Sequence, residues 1–310
     1  MGRTIMSPAV EAVVKALLYL AIVLFASPLL EGVMRKVRAV IHSRQGPPVT
    51  QPYLDLAKLL VKEDLSSQQG SPARFAPSAV FASVLVASLF VPFAVASPAG
   101  AFGDLFVFIY LMTLSSAILM AGGLAQSSPY SHLGSSREMM MVLTTEAVTI
   151  ISLLVVAITG HSALFSEGVE APFRLSFILA LACYLFAMQA MLGKIPFDVS
   201  EAEQEIMGGP FIEYSGPSLA LFKWSYYMKQ MIFGSLFFSL FVGWPRFTGA
   251  GLAGLLGNLS VTYGAVLILC LLVALIDATN PRLRIDQSMR FFGVLIAIAC
   301  LSLGLAAAGW

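Results

Sequence analysis

Charged side chains are scarce in this chain: they make up 11% of its 310 residues, whereas 58% of the residues are hydrophobic. Together with a mean hydropathy of +0.86, this balance excludes an ordinary soluble domain and predicts a protein that lies in a membrane. The formal net charge is only +1, so the overall charge gives no reason to expect a nucleic-acid partner.

Cysteine is also rare. The three cysteines, Cys183, Cys270 and Cys300, lie in separate apolar runs and lack a Cys-x-x-Cys spacing. This arrangement excludes the usual zinc and iron–sulfur ligand sets, and we predict buried, unreactive thiols. The sequence also contains no nucleophile–base set and no phosphate-binding loop. We therefore expect no catalytic residue, metal or cofactor to be carried by this chain.

Apolar runs long enough to cross a bilayer are what the chain has in abundance. A membrane-spanning helix needs about 20 apolar residues, and such runs lie at about 9–30, 75–96, 105–125, 139–159, 173–192, 219–243, 252–276 and 291–308. We therefore predict an all-α, polytopic membrane protein with about eight transmembrane helices and with amphipathic helices in its cytoplasmic loops. Residues 1–310 form a single membrane domain in this interpretation.

The distribution of Lys and Arg predicts how these helices are oriented. The loops after the first, third, fifth and seventh runs carry twelve such residues, and the opposite loops carry three, Arg3, Arg174 and Arg246. Because positive residues favour the cytoplasmic side, we predict that the first group of loops is cytoplasmic. Both termini then lie outside.

The first cytoplasmic loop is the longest, at about residues 31–74. Its turn around Arg44, Gly46 and Pro47 excludes regular helix, because a glycine and two prolines are adjacent there. Residues 52–63 then predict an amphipathic helix along the membrane surface. Leu56, Leu59 and Leu60 form its apolar face. Asp55, Lys58 and Lys62 form its charged face. From the residues alone, a simple interfacial anchor is as good an interpretation as a docking site.

The stretch 193–216 carries a cluster of acids after a single base, Lys194. These acids are Asp198, Glu201, Glu203, Glu205 and Glu213. Ser200 and Glu203 have the spacing of a helix capping box, the glycines at 208 and 209 would end that helix, and the acids at 198, 201 and 205 would share one face. A capped, solvated loop helix accounts for part of the pattern, although solvating loops usually mix charges of both signs.

Ionisable residues inside the apolar runs are few and costly. Glu146 lies nine residues beyond Arg137, which is about 13 Å along a helix and close to the middle of a core about 30 Å thick. Lys229 is also deep, Lys223 is either buried or reaches the cytoplasmic surface, and Asp277 ends the seventh run. Each such group costs about 3 kcal/mol at a helix centre in lipid. We therefore expect them to face one another or the acidic stretch, and favour a functional role over a paired structural acid for Glu146.

The acidic stretch contains a specific sequence motif: Pro-Phe-Asp-Val-Ser-Glu-Ala-Glu-Gln-Glu at 196–205, followed by Glu-Tyr-Ser-Gly at 213–216. It resembles the acidic loop of the membrane subunit shared by respiratory complex I, as its subunit 1, and by the energy-converting membrane-bound hydrogenases. Further matches lie in the turn and helix of 44–63, in the polar loop 130–138, and in Pro-Arg-x-Arg-x-Asp-Gln at 281–287. The resemblance therefore covers nearly the whole chain in order.

This resemblance implies two sets of functional residues. Loops 31–74 and 194–217 dock a cytoplasmic redox arm, and the interface set is Arg38, Arg44, Gly46, Pro47, Gln51, Asp55, Lys58, Lys62, Arg137, Arg282, Arg284 and Asp286. A chain of buried acids, in which Glu146 is one station, carries protons or couples charge. That second set is Glu146, Asp198, Glu201, Glu203, Glu205, Glu213, Lys223, Lys229 and Asp277.

A few residues that differ from the usual complex I sequence indicate the branch of the family. Complex I usually has Gly-Glu-Tyr where this chain has Ser225-Tyr226-Tyr227, and Gly193-Lys194 looks more like the hydrogenase branch. We therefore predict an ion-translocating, coupling subunit of a group 4 type membrane-bound nickel–iron hydrogenase or formate hydrogenlyase. Such a subunit lies in a prokaryotic cytoplasmic membrane.

The resemblance also implies the partners. These are a hydrogenase-like large subunit and iron–sulfur subunits on the cytoplasmic side, which carry the clusters and the nickel–iron centre, together with antiporter-like membrane subunits and the lipid bilayer. One alternative is subunit 1 of a quinone- or phenazine-reducing complex I-type dehydrogenase. Another is a structural membrane anchor for the redox arm. The transported ion, proton or sodium, stays open.

Overall fold

The computed structural model describes residues 8–65, 72–92, 105–160, 174–242 and 252–309. Within these ranges every regular element is a helix, which confirms the all-α class. The α-helices are α1 (Pro8–Ile41), α2 (Gln51–Val61), α3 (Pro72–Ser88), α4 (Leu105–Leu124), α5 (Pro129–Thr159), α6 (Leu175–Met191), α7 (Glu203–Ile206), α8 (Gly216–Phe237), α9 (Leu252–Thr279) and α10 (Ile285–Ala307). A 3₁₀ turn, Gly209–Phe211, follows α7, and a π-helical segment, Phe238–Val242, extends α8.

Five helices of the described chain are long and apolar enough to cross a membrane, namely Ala16–Ile41, Leu105–Leu124, Pro129–Thr159, Gly257–Thr279 and Ile285–Ala307. Two shorter apolar helices, Pro72–Ser88 and Leu175–Met191, lie in further predicted runs, and α8 lies in the remaining one. Helices therefore occupy all eight runs, whereas five of them meet the criteria for a span.

Helix α8 lies at the centre of the structure, where it packs against α1, α2, α3 and α9. Every residue from Tyr227 to Phe237 is buried, as expected for a helix that is covered on all sides. Aromatic side chains fill this core: Phe233 meets Phe108 edge-on, with ring centroids 6.3 Å apart, and accepts a 3.1 Å hydrogen bond at its carbonyl from Tyr184. The polar residues Lys229, Gln230 and Ser235 of α8 are thereby buried among the surrounding helices.

Two predicted loop boundaries are wrong. Helix α1 passes through Pro28 and continues to Ile41, so residues 31–41 are helical; it ends before Ser43 and Gly46, whose φ angles are positive. Helix α5 begins at Pro129, so the segment 130–138 is helical as well, since proline suits the first turn of a helix. Glu31 and Arg137 are consequently held on rigid helices.

The predicted capping box in the acidic stretch is also wrong. Helix α7 is a single turn whose first flanking residue is Ala202, without a side-chain cap. The acids at 198 and 201 precede that turn and share no helical face with Glu205. The stretch is instead seated on α5 by a glycine pair, because a Cβ on Gly134 would lie 2.6 Å from the Cα of Gly209. Positive φ at Met207 and Gly208 ends the turn.

Helix α2 confirms the predicted amphipathic helix, and it packs against α8. Pro52 and Leu56 are buried, whereas Leu60, expected on the same face, is exposed. The carboxyl end of α2 abuts the amino end of α8, since a Cβ on Gly216 would lie 2.7 Å from the carbonyl oxygen of Glu63. Only glycine permits that approach of two backbones.

Candidate functional site

A cavity of about 560 Å³ lies between α1, α8, the end of α9 and the acidic stretch. The acids that line it are Glu31, Asp198, Glu201, Glu203 and Asp277, and the bases are Arg35, Arg38, Lys194 and Lys223. Nine charged side chains around one cavity are unusual in a chain with so little charge. Five of them belong to the coupling set expected from the sequence: Asp198, Glu201, Glu203, Lys223 and Asp277. A sixth is Lys194, the single base of the acidic stretch.

Glu31 is a buried acid at this cavity, and the sequence prediction missed it. Its side chain is 5% exposed on α1 and accepts hydrogen bonds from Lys194 Nζ at 3.0 Å and from Gln230 Nε2 at 2.7 Å. Arg35, one turn later, donates from Nε at 3.2 Å. Burying a charge is tolerated only where such partners exist. The signal that was overlooked is the four-residue spacing of Glu31 and Arg35 on one helix.

Arg35 connects this buried acid to α2. Its Nη1 lies 2.8 Å from Asp55 Oδ2, and its Nη2 donates to the Tyr227 hydroxyl at 2.9 Å. Partial burial raises the pKa of Asp55, but hydrogen bonds from Arg35 and Gln51 outweigh it, so the pKa lies below its ordinary value. Asp55 and Gln51, expected on a docking surface, thus face inward.

Asp277 closes the cavity from α9. It is 4% exposed, accepts a hydrogen bond from the Ile195 amide at 3.0 Å, and forms an ion pair with Arg38. The end of α9 is therefore tied both to α1 and to the first residues of the acidic stretch. Arg38, like Asp55, is engaged within the protein.

Two arginines clamp the acidic stretch from outside. Arg282 Nη2 lies 2.7 Å from Asp198 Oδ2, and Arg137 Nη1 lies 2.7 Å from Glu205 Oε2. Burial raises the pKa of Asp198, and the attraction of Arg282 opposes this without cancelling it. Glu205 is exposed, and its hydrogen bond from Arg137 holds its pKa below the ordinary value.

Glu201 occupies the inner wall of the acidic stretch. Burial raises its pKa to about 8, and the charges of Asp198 and Glu138 act in the same direction. Lys194 and a side-chain hydrogen bond with the Tyr226 hydroxyl lower it in part. The carboxyl group therefore exchanges protons close to neutral pH.

Two smaller voids continue inward from this wall. The first, of about 20 Å³, is lined by Lys229 and Glu138, and the second, of about 10 Å³, is lined by Glu146. Met112, Met191 and Phe233 line both voids. Lys229 is 7% exposed, and its charge and that of Glu146 attract each other. The two deep groups expected from the sequence are thus in neighbouring spaces.

The remaining expected site residues are exposed at the cavity or lie apart from it. Lys223 is exposed at the cavity wall, in line with the alternative that it reaches the surface, and Glu203 is exposed beside it. Glu213 lies apart from the cavity, where Ser127 Oγ donates to it at 3.5 Å. The remaining exposed members of the interface set are Arg44, Gly46, Lys58, Lys62, Arg284 and Asp286, whereas Pro47 is partly buried in the turn.

The cysteines only partly follow the prediction. Cys183 and Cys270 are buried and free, but Cys300 is exposed, because it lies on an outward face of α10. Among the residues that the structure describes, no three His, Cys, Asp or Glu side chains are grouped so that they could hold a metal ion.

Comparisons with known proteins agree with this architecture. A sequence model of the family described as NADH dehydrogenase matches residues 14–307. Hydrogenase-4 component C of Escherichia coli (strain K12) is 37% identical over 307 residues, covering 96% of this chain and 95% of the relative. Formate hydrogenlyase subunit 4 of the same strain is 33% identical over 279 residues, covering 87% and 91%.

A solved structure is similar over almost the full length. One chain of the membrane-bound sulfane sulfur reductase, an archaeal respiratory membrane complex, superimposes with a TM-score of 0.86 at 26% sequence identity. The similarity covers 96% of this chain and 99% of that chain.

Proposed function

This chain belongs to the NADH dehydrogenase family, and from that premise we propose that it is the ion-translocating, coupling subunit of a membrane-bound hydrogenase or formate hydrogenlyase complex. The names of the hydrogenase-4 and formate hydrogenlyase relatives favour this branch. The redox chemistry itself belongs to partner subunits, which carry iron–sulfur clusters and a nickel–iron centre in this proposal.

The succession of spaces that leads from the charged cavity to Glu146 is the observation that carries the proposal. The cavity opens among the acids of the 193–216 stretch, and Lys229 and Glu146 line the next two voids in turn. Ionisable groups inside a membrane domain are costly, and they are retained where they line an ion or proton path. A structural anchor would need no such series.

Coupling to the redox arm proceeds through ion pairs in this proposal. Asp55, Arg35, Glu31 and Lys194 form an unbroken sequence of contacts from α2 to the acidic stretch. A change of charge in an arm docked at α2 shifts the balance of these pairs, since each pKa depends on its neighbours. Glu201, at the far end, then gains or loses its proton.

The membrane arrangement completes the proposal. Besides the five spans, α3, α6 and α8 cross the bilayer, which gives eight, and the shortness of α3 and α6 is accommodated by packing between longer helices. Both termini lie outside a prokaryotic cytoplasmic membrane, and loops 31–74 and 194–217 face the redox arm. Antiporter-like membrane subunits receive the coupled charge.

A quinone-reducing complex is the second candidate, and the cavity favours it. A volume of about 560 Å³ is in the range of small-molecule sites, and the matching family is described as NADH dehydrogenase. However, nine of the 22 residues that line the cavity are charged, which suits water and ions better than a lipophilic ring. Assaying hydrogen evolution and quinone reduction by the purified complex separates the two candidates.

Ion translocation through this chain is tested by Glu146→Gln in the assembled complex, reconstituted in sealed vesicles. We expect redox turnover to persist while ion uptake is lost, because Gln cannot release a proton. The matched control is Asp64→Asn, an exposed acid whose hydrogen bond from Ser218 at 2.6 Å an amide oxygen can keep. Unchanged ion uptake by the Glu146→Gln complex would contradict the proposal.

A further inference from the structure

Tyr226 and Gly193 are the two residues that line both the charged cavity and the void of Lys229, among the lining residues of the described chain. Gly193 has no side chain, so the tyrosine ring is the side chain that separates the two spaces. Any group that passes from the cavity to Lys229 by this way passes Tyr226. Tyr226 therefore borders both spaces from the central helix α8.

The contacts of Tyr226 engage one ionisable group on each side. On the cavity side its hydroxyl is hydrogen-bonded to the Glu201 carboxyl group. A Cβ placed on Gly193 would lie 3.7 Å from both Glu201 Oε1 and Tyr226 Cε1, so the three residues meet at one point. On the inner side, Lys229 Nζ lies 5.5 Å from the centre of the ring, within the range of a cation–π contact.

The ring is supported from the loop. Phe211 meets Tyr226 edge-on, with centroids 5.9 Å apart and planes at 80°. Tyr226 and Lys229 are three residues apart on one helix, which places their side chains side by side. The ring is thus fixed by a neighbouring aromatic, while its two polar contacts depend on the charges of Glu201 and Lys229.

We propose that Tyr226 is a positioning residue that closes the passage between the cavity and Lys229 and opens it according to the charges of Glu201 and Lys229. The inference rests on the proposed function. When Glu201 is a carboxylate and Lys229 an ammonium, the hydroxyl and the ring face are both held, and the passage is closed. Protonation of Glu201 replaces a charge-assisted hydrogen bond with a weaker neutral one, and the ring is released.

The proton balance follows directly. Lys229 becomes neutral by giving its proton to a carboxylate farther in, and the cation–π contact is lost with it. The proton on the Glu201 carboxyl then moves to the neutral Lys229 amine, which restores a carboxylate and an ammonium. Both hold Tyr226 again, so the passage closes behind the transferred proton. One proton moves inward in each cycle, and no redox step is involved.

The charged and titratable groups around Glu201 come from every packed element. Glu138 projects from α5, Lys194 and Asp198 belong to the same stretch, and Tyr226 belongs to α8. The wider cavity adds further groups from α1, α8 and α9: Glu31, Arg35, Arg38, Lys223 and Asp277. A pH profile of transport therefore reports on the titration of this whole cluster. The Tyr226 hydroxyl contributes to that profile through its effect on the pKa of Glu201.

The test compares Tyr226→Phe and Tyr226→Ala in the complete complex, reconstituted in sealed vesicles, with ions taken up per turnover measured between about pH 5 and 9. Tyr226→Phe keeps the ring and removes the tie to Glu201. We expect ions per turnover to fall about tenfold, the size of one lost hydrogen bond to a charged group. We also expect the pH midpoint to rise, because that bond lowers the pKa of Glu201.

Tyr226→Ala removes the partition itself. We expect an ion gradient imposed across the vesicles to decay faster without turnover than in Tyr226→Phe, which keeps the ring in the passage. Tyr110→Phe is the matched control, since Tyr110 is 72% exposed on α4. Both Tyr226 variants behaving as the control would overturn the inference, as would loss of the redox subunits from the purified Tyr226→Phe complex, which would indicate a structural role.

Glu146→Gln separates this inference from the proposed function. If that variant stops ion uptake while both Tyr226 variants keep it unchanged, the chain translocates ions and only the role of Tyr226 is wrong. If the Glu146→Gln complex takes up ions normally, the proposed function itself fails.

Discussion

Arg35 of α1 and Asp55 of α2 form a 2.8 Å ion pair, and the same guanidinium reaches the buried Glu31. One side chain therefore contacts both α2 and a buried acid of the cavity. A long cation with several fixed donors suits this position, since the guanidinium of arginine presents five donors in a planar fork. The pair joins the predicted docking helix to the interior, and it is open to direct measurement.

Replacing Arg35 by Ala removes three partners at once. We expect the unfolding free energy of the chain in detergent to fall by about 2–3 kcal/mol, somewhat below the value for fully buried pairs. Asp55→Asn keeps a hydrogen-bond acceptor and should cost about 1 kcal/mol. Lys58 is an exposed cation on α2, the helix of Asp55, and Lys58→Ala should change the unfolding free energy by less than about 0.5 kcal/mol. Equal effects of Arg35→Ala and Lys58→Ala would show that the pair is unimportant.

Glu31 and Lys194 form a largely buried ion pair. Removing one partner alone should therefore destabilise the fold more than removing both. Glu31→Ala leaves the charge of Lys194 without its partner in a buried place, and we expect a loss of about 3–5 kcal/mol. The double variant Glu31→Ala, Lys194→Met removes the stranded charge and should recover part of that loss. Chemical denaturation of the three variants in detergent gives the comparison. Failure of the second change to restore any stability would contradict the pairing.

Stability should depend on pH through Glu201. Its pKa is raised to about 8 in the folded chain, so the folded state holds a proton that the unfolded state loses near pH 4–5. Stability is therefore greatest below that range and falls as pH rises toward 8, where the folded carboxyl also ionises. Glu201→Gln should flatten this fall, and unfolding midpoints measured from pH 5 to 9 test it. An unaltered slope in the variant would exclude Glu201 as the source.

The glycine contact beneath the acidic stretch should tolerate no side chain. In Gly134→Ala the new Cβ would lie 2.6 Å from Gly209 Cα, so backbone must move, and we expect a loss of about 1–3 kcal/mol. Gly293→Ala is the control, because nothing lies within 4 Å of its Cβ position inside α10, and it should gain up to about 1 kcal/mol. The difference in unfolding midpoint between the two variants measures the contact.

The sequence was sufficient for features that depend on local pattern. Leucine spacing and Pro52 predicted α2, whose bounds are within a residue or two of those observed. The turn at Gly46, with φ of +65°, also followed from its residues. Depth along a helix predicted that Lys229 and Glu146 lie deep in their apolar runs, because rise per residue and hydrophobic length are fixed quantities. It did not predict that the two residues line neighbouring voids.

Features that depend on tertiary contacts were not predictable in the same way. Glu31 was assigned to a loop, since its partners Lys194 and Gln230 are more than 160 positions away in the chain. The inward orientation of Arg38 and Arg282 likewise required knowing where Asp277 and Asp198 lie. Local capping rules failed at Ser200, because the stretch follows the surface of α5 rather than its own helical preference.

The meeting of α2 and α8 has a mechanical consequence. The backbone carbonyls of Lys62 and Glu63, the two residues that follow α2, lie directly against Gly216 in the first turn of α8, with no side chain between the two backbones. A displacement of the carboxyl end of α2 toward α8 therefore requires the first turn of α8 to move with it. Tyr226 and Lys229 lie further along the same helix, so α8 connects this backbone contact to the residues that line the inner void.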